Sequence, residues 1–318
     1  MAAKTCPYYG GMSSLNPPES ISQVDSDVPG TPGRGHGVFR RLRARWHNRP
    51  KRYFIGLFTF LLALCLMLAP SPYVVESPGP TENVLGKADG KEVISVSNAT
   101  TYPDRGELLL TTVNASGVPG YPISNIWALI GWLDPHMNVL PSEAVFPVGQ
   151  SSEEYDQEAK ADMDSSMEAA TAAGLAYAKR LGAKVSDADV SMHIETVGGP
   201  SAGMMYALGL VDKLTPENET NGVTVAGTGT IDKTGKVGAI GGIDLKMIGA
   251  LQDGATWFLA PEENCDEVVG HVPNGLRDVK VSTLEEAYTA LVKIGKGDAD
   301  SLPHCTVRRA ADHNMAGE

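Results

Sequence analysis

The chain has 318 residues, of which 42% are hydrophobic and 20% are charged. This composition excludes a disordered or collagen-like polymer and allows one or two globular domains. Residues 1–52 carry nine Lys/Arg and three Asp/Glu, a net charge of +6, whereas the remaining 17 Lys/Arg and 35 Asp/Glu give the rest of the chain −18. The acidic part argues against a nucleic-acid partner, because binding phosphates requires clustered Lys/Arg.

An uncharged apolar run, residues 53–69, follows the basic segment directly. At helical rise it spans ~25 Å, which nearly fills a bilayer core. Seven Arg/Lys between residues 40 and 52 precede it. The positive-inside rule therefore predicts a single-pass protein of the cell membrane. Residues 1–52 would be a disordered cytoplasmic tail, residues 53–72 a transmembrane helix, and everything after Pro72 extracytoplasmic.

Three alternatives to a membrane span compete with this interpretation. A cleaved signal peptide is disfavoured by the long basic arm, by the lack of an A-x-A-like site and by Pro70 and Pro72 after the apolar run. A lipoprotein attached through Cys65 conflicts with Leu64, which stands where a small residue is required. A buried helix of a soluble domain fits poorly with the charged flank.

The four cysteines divide by predicted compartment. Cys6 would be cytoplasmic and Cys65 would lie in lipid, which leaves Cys265 and Cys305 outside, where oxidation is permitted. A disulfide between these two is allowed, but spacing alone does not decide the pairing.

The elements predicted after the membrane segment alternate between strands and helices. An extended juxtamembrane segment over 73–105 precedes a strand over 107–113, a short helix over 123–133 and a long helix over 151–181 that opens with a Ser/Glu capping pattern. The pattern continues with strands over 190–195, 223–226, 257–259 and 279–281 and with helices over 202–214, 245–253, from Cys265 and over 284–294. We therefore predict an α/β fold with a mixed sheet, followed by a loose C-terminal tail over 296–318.

Ser201 is the first candidate for catalysis. It lies in VGGPSAGMMYALGL, where glycines and a proline precede it and an apolar helix follows. Such a turn places a hydroxyl at a helix N-terminus, where free backbone N–H groups can stabilise an oxyanion. The alternative is a serine that only caps its helix.

A serine nucleophile needs a base, and Lys246 is the candidate. No histidine lies in a G-x-S-x-G or triad context. A lysine can serve instead when desolvation removes its proton. Lys246 follows a Gly-Gly turn in GKVGAIGGIDLKMIGAL and has apolar neighbours. The alternative is a helix lysine whose stem lies on apolar surface while its ammonium reaches water.

Two motifs together carry a resemblance to a known family. GGPSAG at 198–203 and G-x-V-x-x-I-G-G-I-x-x-K at 235–246, with serine and lysine 45 positions apart, closely resemble the proteolytic domain of Lon proteases, which use a serine/lysine dyad. The resemblance covers roughly residues 106–295, and PYVVESPGPTENVLG with GWLDP looks like the membrane-anchored Lon-like peptidases of Gram-positive bacteria. It implies Ser201 as nucleophile, Lys246 as general base, Thr228 as the residue that orients the lysine, and an oxyanion or substrate loop at Gly198, Gly199 and Pro200.

The sequence also departs from the relatives that it resembles. Anchored relatives usually carry a PDZ domain before the serine motif, whereas Val190 follows Leu181 by nine positions, too few for such a module. No G-x-x-x-x-G-K-[ST] motif and no Cys/His cluster at metal-ligand spacing occur. We therefore predict an ATP-independent endopeptidase without metal or other cofactor, acting on extracytoplasmic polypeptides. The resemblance also implies a homo-hexameric ring. The alternative is a non-catalytic membrane-anchored scaffold, which the lack of a PDZ domain would favour.

Overall fold

The computed structural model describes residues 50–307 apart from Asp89, Asp104 and residues 194–198. Most of the predicted cytoplasmic tail lies outside this part of the chain. The chain divides into two units between Phe60 and Leu61. The sheet, the core and the candidate site all lie in the second unit.

The helices and strands alternate over most of the described chain. The helices are α1 (Lys51–Leu68), α2 (Asn125–Leu133), α3 (Ser142–Val145), α4 (Ser152–Arg180), α5 (Gly203–Leu214), α6 (Ile243–Gln252), α7 (Cys265–Val268) and α8 (Leu284–Lys296). The strands are β1 (Tyr73–Asn83), β2 (Lys87–Ala88), β3 (Lys91–Glu92), β4 (Ile94–Ser97), β5 (Glu107–Ser116), β6 (Asn138–Pro141), β7 (Asp189–Met192), β8 (Thr224–Gly227), β9 (Thr230–Ile231), β10 (Val237–Gly238), β11 (Trp257–Pro261) and β12 (Arg277–Val281).

A six-stranded mixed sheet organises the fold. Its strand order is β12-β11-β8-β5-β1-β6. The first four strands are mutually parallel, whereas β1 runs antiparallel to both β5 and β6. The mixed α/β fold predicted from the sequence is confirmed.

Strand β1 corrects the predicted domain boundary. Residues 73–105 are predicted as an extended segment ahead of a domain that begins at 106, yet β1 pairs with β5 on one side and β6 on the other. Pro78 and Pro80 argue against a strand in the sequence, because proline is normally absent from the middle of a sheet. The register shifts between Pro78 and Thr81, and this irregularity accommodates the prolines. The sheet therefore begins at Tyr73.

Alternation along β5 supplies both faces of the core. Leu108 and Leu110 belong to one hydrophobic cluster, which also contains most of α5. Leu109 belongs to a second cluster, which contains Ile243 and Met247 of α6. Because successive strand side chains point to opposite faces, the three leucines anchor helices on both sides of the sheet.

Helix α4 has the start that the sequence predicts. The Ser151 hydroxyl accepts from the backbone N–H of Glu154, and the Glu154 carboxylate accepts from the backbone N–H of Ser151. This reciprocal capping satisfies two N–H groups that the helix itself leaves unpaired. Helix α4 packs against α5.

The segment after α8 is more ordered than the loose tail that we predict from residue 296. Ala299 and Leu302 are buried, and a disulfide joins Cys305 to Cys265 at the start of α7. The backbone N–H of Cys305 also donates to Asp278 at 2.7 Å. The segment after α8 therefore packs against the domain as far as Cys305.

Helix α1 covers most of the apolar run. It is long and apolar enough to cross a membrane, by length and composition alone, and none of its residues is buried. It ends at Leu68, four residues before the predicted end at residue 72. Pro70 and Pro72 explain the earlier end, because proline cannot donate the backbone hydrogen bond that would continue a helix.

Candidate active site

Ser201 lies in a single 3-10 turn, Pro200–Ala202, directly before α5. Gly199 enters the turn at φ +87°, a conformation that favours glycine. Ser166 of α4 donates its hydroxyl to the Pro200 carbonyl at 3.0 Å. Gly203 allows this approach, since a Cβ there would lie 2.7 Å from the Ser166 hydroxyl oxygen. The turn is thus clamped against α4.

Thr228 and Gly229, just after β8, hold the backbone of Ser201. The Ser201 carbonyl accepts from the Thr228 hydroxyl at 3.1 Å and from the Gly229 N–H at 2.8 Å. Thr228 is fully buried, whereas Ser201 is half-buried. The serine main chain is therefore fixed from the sheet side while its residue remains partly accessible.

Lys246 approaches the same point from α6. Gly242 precedes this helix in a left-handed conformation, φ +65°, and accepts the first helical bond from the Lys246 N–H. The Lys246 side chain is only 4% exposed, and its Nζ donates to Thr228 Oγ1 at 3.3 Å. Thr228 thus contacts both predicted dyad residues.

Burial changes the chemistry of this lysine. Loss of solvation lowers the pKa of Lys246 from 10.5 to about 8, and the nearby carboxylate of Glu76 opposes part of that shift. A lysine with this pKa is partly neutral near physiological pH, as a general base requires.

The Glu76 side chain is a part of this site that the sequence reasoning missed. It lies at the centre of β1, opposite Ala115 of β5 and Asn138 of β6. Burial raises the pKa of Glu76, the neighbouring Asp244 raises it further, and Lys246 lowers it. Asn138 in turn donates to Asp244 at 3.0 Å. Glu76 therefore lies near the lysine, and Asp244 lies near Glu76.

A side-chain clamp also fixes the loop that leads to α6. Asn264 accepts from the Ile240 N–H at 3.0 Å and donates to the Ile240 carbonyl at 2.8 Å, as a neighbouring strand would. The next residue, Cys265, forms the disulfide with Cys305. No signal in the sequence distinguishes Asn264 from a loop asparagine.

The structure describes only part of the predicted oxyanion loop, and few backbone N–H groups of that part can bind an oxyanion. Gly198 lies outside the described residues. The Gly199 N–H donates to the Ala159 carbonyl at 3.4 Å, and Pro200 has no N–H. Within the described part of the predicted loop, Ser201 itself is thus the remaining backbone donor for an oxyanion.

The arrangement brings Ser201, Thr228 and Lys246 together, with one difference from a closed dyad. In the described part of the chain, Lys246 Nζ bonds to Thr228 and not to the Ser201 hydroxyl. Catalytic hydrogen bonds are often long or unformed before substrate binds. Within the same described residues, no three His, Cys, Asp or Glu side chains converge as a metal site requires.

A cleft of about 440 Å³ opens beside Gly199, between α3 and α4. Glu158 and Asp162 contribute carboxylates to its wall, and Phe146 and Tyr155 contribute aromatic rings. Gly199 lies in its wall, so the cleft adjoins the turn that carries Ser201.

Comparisons with known proteins show which sequences the chain is similar to. Residues 130–293 match the sequence model of the family described as Lon protease (S16) C-terminal proteolytic domain. The chain is 29% identical over 170 residues to a Lon protease of Malacoplasma penetrans, covering 49% of this chain and 21% of that protein. It is 31% identical over 124 residues to Lon protease 2 of Bacillus subtilis, covering 37% and 21%, and 35% identical over 126 residues to a Lon protease of Xanthomonas oryzae pv. oryzae, covering 37% and 15%. The chain thus spans about a fifth or less of the length of these relatives.

Proposed function

The chain belongs to the Lon protease (S16) C-terminal proteolytic domain family, which is a family of serine peptidases, and from this membership we propose that it hydrolyses peptide bonds with Ser201 as nucleophile and Lys246 as general base. The observation that carries the proposal is the buried Lys246, which shares Thr228 with Ser201 and has a pKa of about 8.

In the proposed reaction, the Ser201 hydroxyl attacks the peptide carbonyl while Lys246 takes its proton. Lys246 then returns that proton to the leaving amine, and an acyl ester remains on Ser201. Water hydrolyses the ester with the same lysine as base. The Ser201 N–H stabilises the oxyanion in both steps.

Thr228 prepares the lysine for this role. Its hydroxyl proton goes to the Ser201 carbonyl, so its oxygen accepts from Lys246 and leaves the lone pair of the neutral amine free. That lone pair is the group that must receive the serine proton. Thr228 is therefore a positioning residue.

We further propose that the peptidase is anchored by α1 and acts outside the cytoplasm. The basic residues before α1 favour a cytoplasmic N-terminus. The Cys265–Cys305 disulfide supports an extracytoplasmic domain, since disulfides persist in oxidising compartments. A reporter fused to the C-terminus should be active only outside the cytoplasm.

The proposed substrates are flexible polypeptide segments that enter the cleft beside Gly199 without an ATP-driven step. The acidic side chains of Glu158 and Asp162 favour basic residues in the bound segment. A homo-hexameric ring around the sites would restrict access to unfolded chains, and light scattering with turnover on the same samples tests whether activity follows assembly.

The decisive variants are Ser201→Ala and Lys246→Arg. With a fluorescent unfolded protein as substrate and the full chain in detergent, we expect both to lose turnover, because arginine stays protonated and cannot act as a base. Ser191→Ala, at an exposed position of β7, and Lys233→Arg, on the surface, are the matched controls and should retain activity. Equal turnover in Ser201→Ala and the unmodified chain would refute Ser201 as the nucleophile, and an absence of turnover in the unmodified chain would favour a scaffold.

A further inference from the structure

Helix α2 exposes an unusual amount of apolar surface. Only Ala128 and Gly131 are buried, with Gly131 packed closely against Val75 and Val139. The other apolar side chains form what we term the α2 apolar face, and Leu133 at its end is 85% exposed. This face consists of Ile126, Trp127, Leu129, Ile130, Trp132 and Leu133. Contiguous apolar patches of this kind mark interaction sites on soluble domains.

The start of α2 is bonded to the end of α1. The Asn125 side-chain amide donates to the Leu66 carbonyl at 2.9 Å, and the Asn125 N–H donates to the Ala69 carbonyl at 3.0 Å. The Ser71 N–H donates to the Ile123 carbonyl at 2.7 Å. These bonds hold the first turn of α2 where the apolar run of α1 ends.

From this placement we propose that the α2 apolar face docks onto the lipid bilayer at the extracytoplasmic interface. The inference rests on the proposed anchoring by α1, because a bilayer that contains α1 has its surface at the level of Leu66 to Ala69. The nine residues of α2 span ~13.5 Å, too short to cross a bilayer, so the helix is suited to its interface.

The chemistry of α2 fits lipid as the occupant. The helix sequence, NIWALIGWL, carries no charged side chain, so placing it among lipids desolvates no ion. Trp127 and Trp132 have apolar rings with a polar N–H, the combination that is enriched where bilayer and water meet. A second copy of the chain could also cover this face. Contact with a second copy, however, would not require α2 to lie at the end of α1, whereas contact with the bilayer would.

Docking at α2 would act on the strands beside the candidate site. Gly131 packs on Val75, which precedes Glu76 in β1, and on Val139, which follows Asn138 in β6. Lipid contact at α2 would therefore steady the two strands that carry Glu76 and Asn138.

The experiment measures tryptophan quenching in the full chain reconstituted into phosphatidylcholine vesicles. Trp46→Phe combined with Trp257→Phe leaves Trp127 and Trp132 as reporters. A matched variant keeps only Trp257, which is buried under the Arg277 guanidinium at 4.1 Å from its ring centre. Circular dichroism of both variants checks the fold, and flotation after an alkaline wash checks the anchoring.

We expect lipids brominated near the headgroup to quench the α2 tryptophans and to leave Trp257 unchanged. If the chain floats but the α2 tryptophans respond to aqueous iodide and not to brominated lipid, the face is in water and the docking proposal is refuted. Protection from both quenchers would refute it in favour of a second copy. Failure to float would overturn the anchoring itself, and with it the docking, so the two failures are distinguishable.

Discussion

Replacing Glu76 with glutamine tests the electrostatics of the proposed base. With a pKa of about 8, roughly one in eleven Lys246 side chains is neutral at pH 7, against about one in three thousand at the ordinary value of 10.5. If neutral Lys246 is the base, kcat/KM should rise with pH and level off above about pH 8.

Glu76 stabilises the charged form of Lys246, so removing its carboxylate should lower the pKa of the lysine further. The acid limb of the pH profile then moves to lower pH. A lower pKa raises the neutral fraction at pH 7 above ~9%, so Glu76→Gln should gain kcat/KM at that pH, by at most the ~11-fold that complete neutralisation of Lys246 allows.

The assay is kcat/KM for a fluorogenic peptide from about pH 6 to about pH 10. Glu82→Gln, on the same strand β1, is the control and should leave the midpoint in place. A midpoint that stays fixed or moves to higher pH in Glu76→Gln would refute the electrostatic reasoning, even if the peptidase assignment survives.

Three further predictions concern Thr228, Lys246 and the disulfide. Thr228→Val should lower kcat roughly tenfold or more, whereas Thr228→Ser, which keeps the hydroxyl, should restore most of it. Lys246→Met should raise the free energy of unfolding at pH 7 by up to ~3 kcal/mol. Burying the charged lysine destabilises the fold by about 1.4 kcal/mol for each pH unit by which its pKa is lowered, and methionine carries no charge. The pKa of Lys246 in the folded state lies below its unfolded value, so this gain in stability should be full below pH 8 and should disappear as the pH rises toward 10.5. Denaturant unfolding of both forms at several pH values measures it. Reduction of Cys265–Cys305, which are 40 residues apart, should lower the free energy of unfolding by ~4 kcal/mol, and thermal unfolding with and without reductant measures the loss.

The elements with strong local signals were predictable from the sequence. The capping pattern at Ser151 predicts the start of α4, and the glycines around Ser201 and before Lys246 predict turns that lead into helices. In these places the local backbone preference and the tertiary fold agree.

Strand β1 was not predictable as part of the sheet, because Pro78 and Pro80 argue against a central strand. Because the sequence predicts residues 73–105 to lie outside the domain, Glu76, the first residue of ESPGPTENVLG, is not predicted as part of the site. Ser166 and Asn264 act only through contacts with residues far along the chain. Non-local pairing of this kind leaves no periodic or motif signal in a single sequence.

Covalent labelling tests the central claim, that Lys246 activates Ser201, most directly. The full chain would be treated with a fluorophosphonate across pH, and the modified residue mapped by mass spectrometry. We predict a single adduct on Ser201 that forms faster as pH rises toward about 8 and that is lost in Lys246→Arg. An adduct on another residue, or undiminished labelling of Ser201 in Lys246→Arg, would contradict the claim.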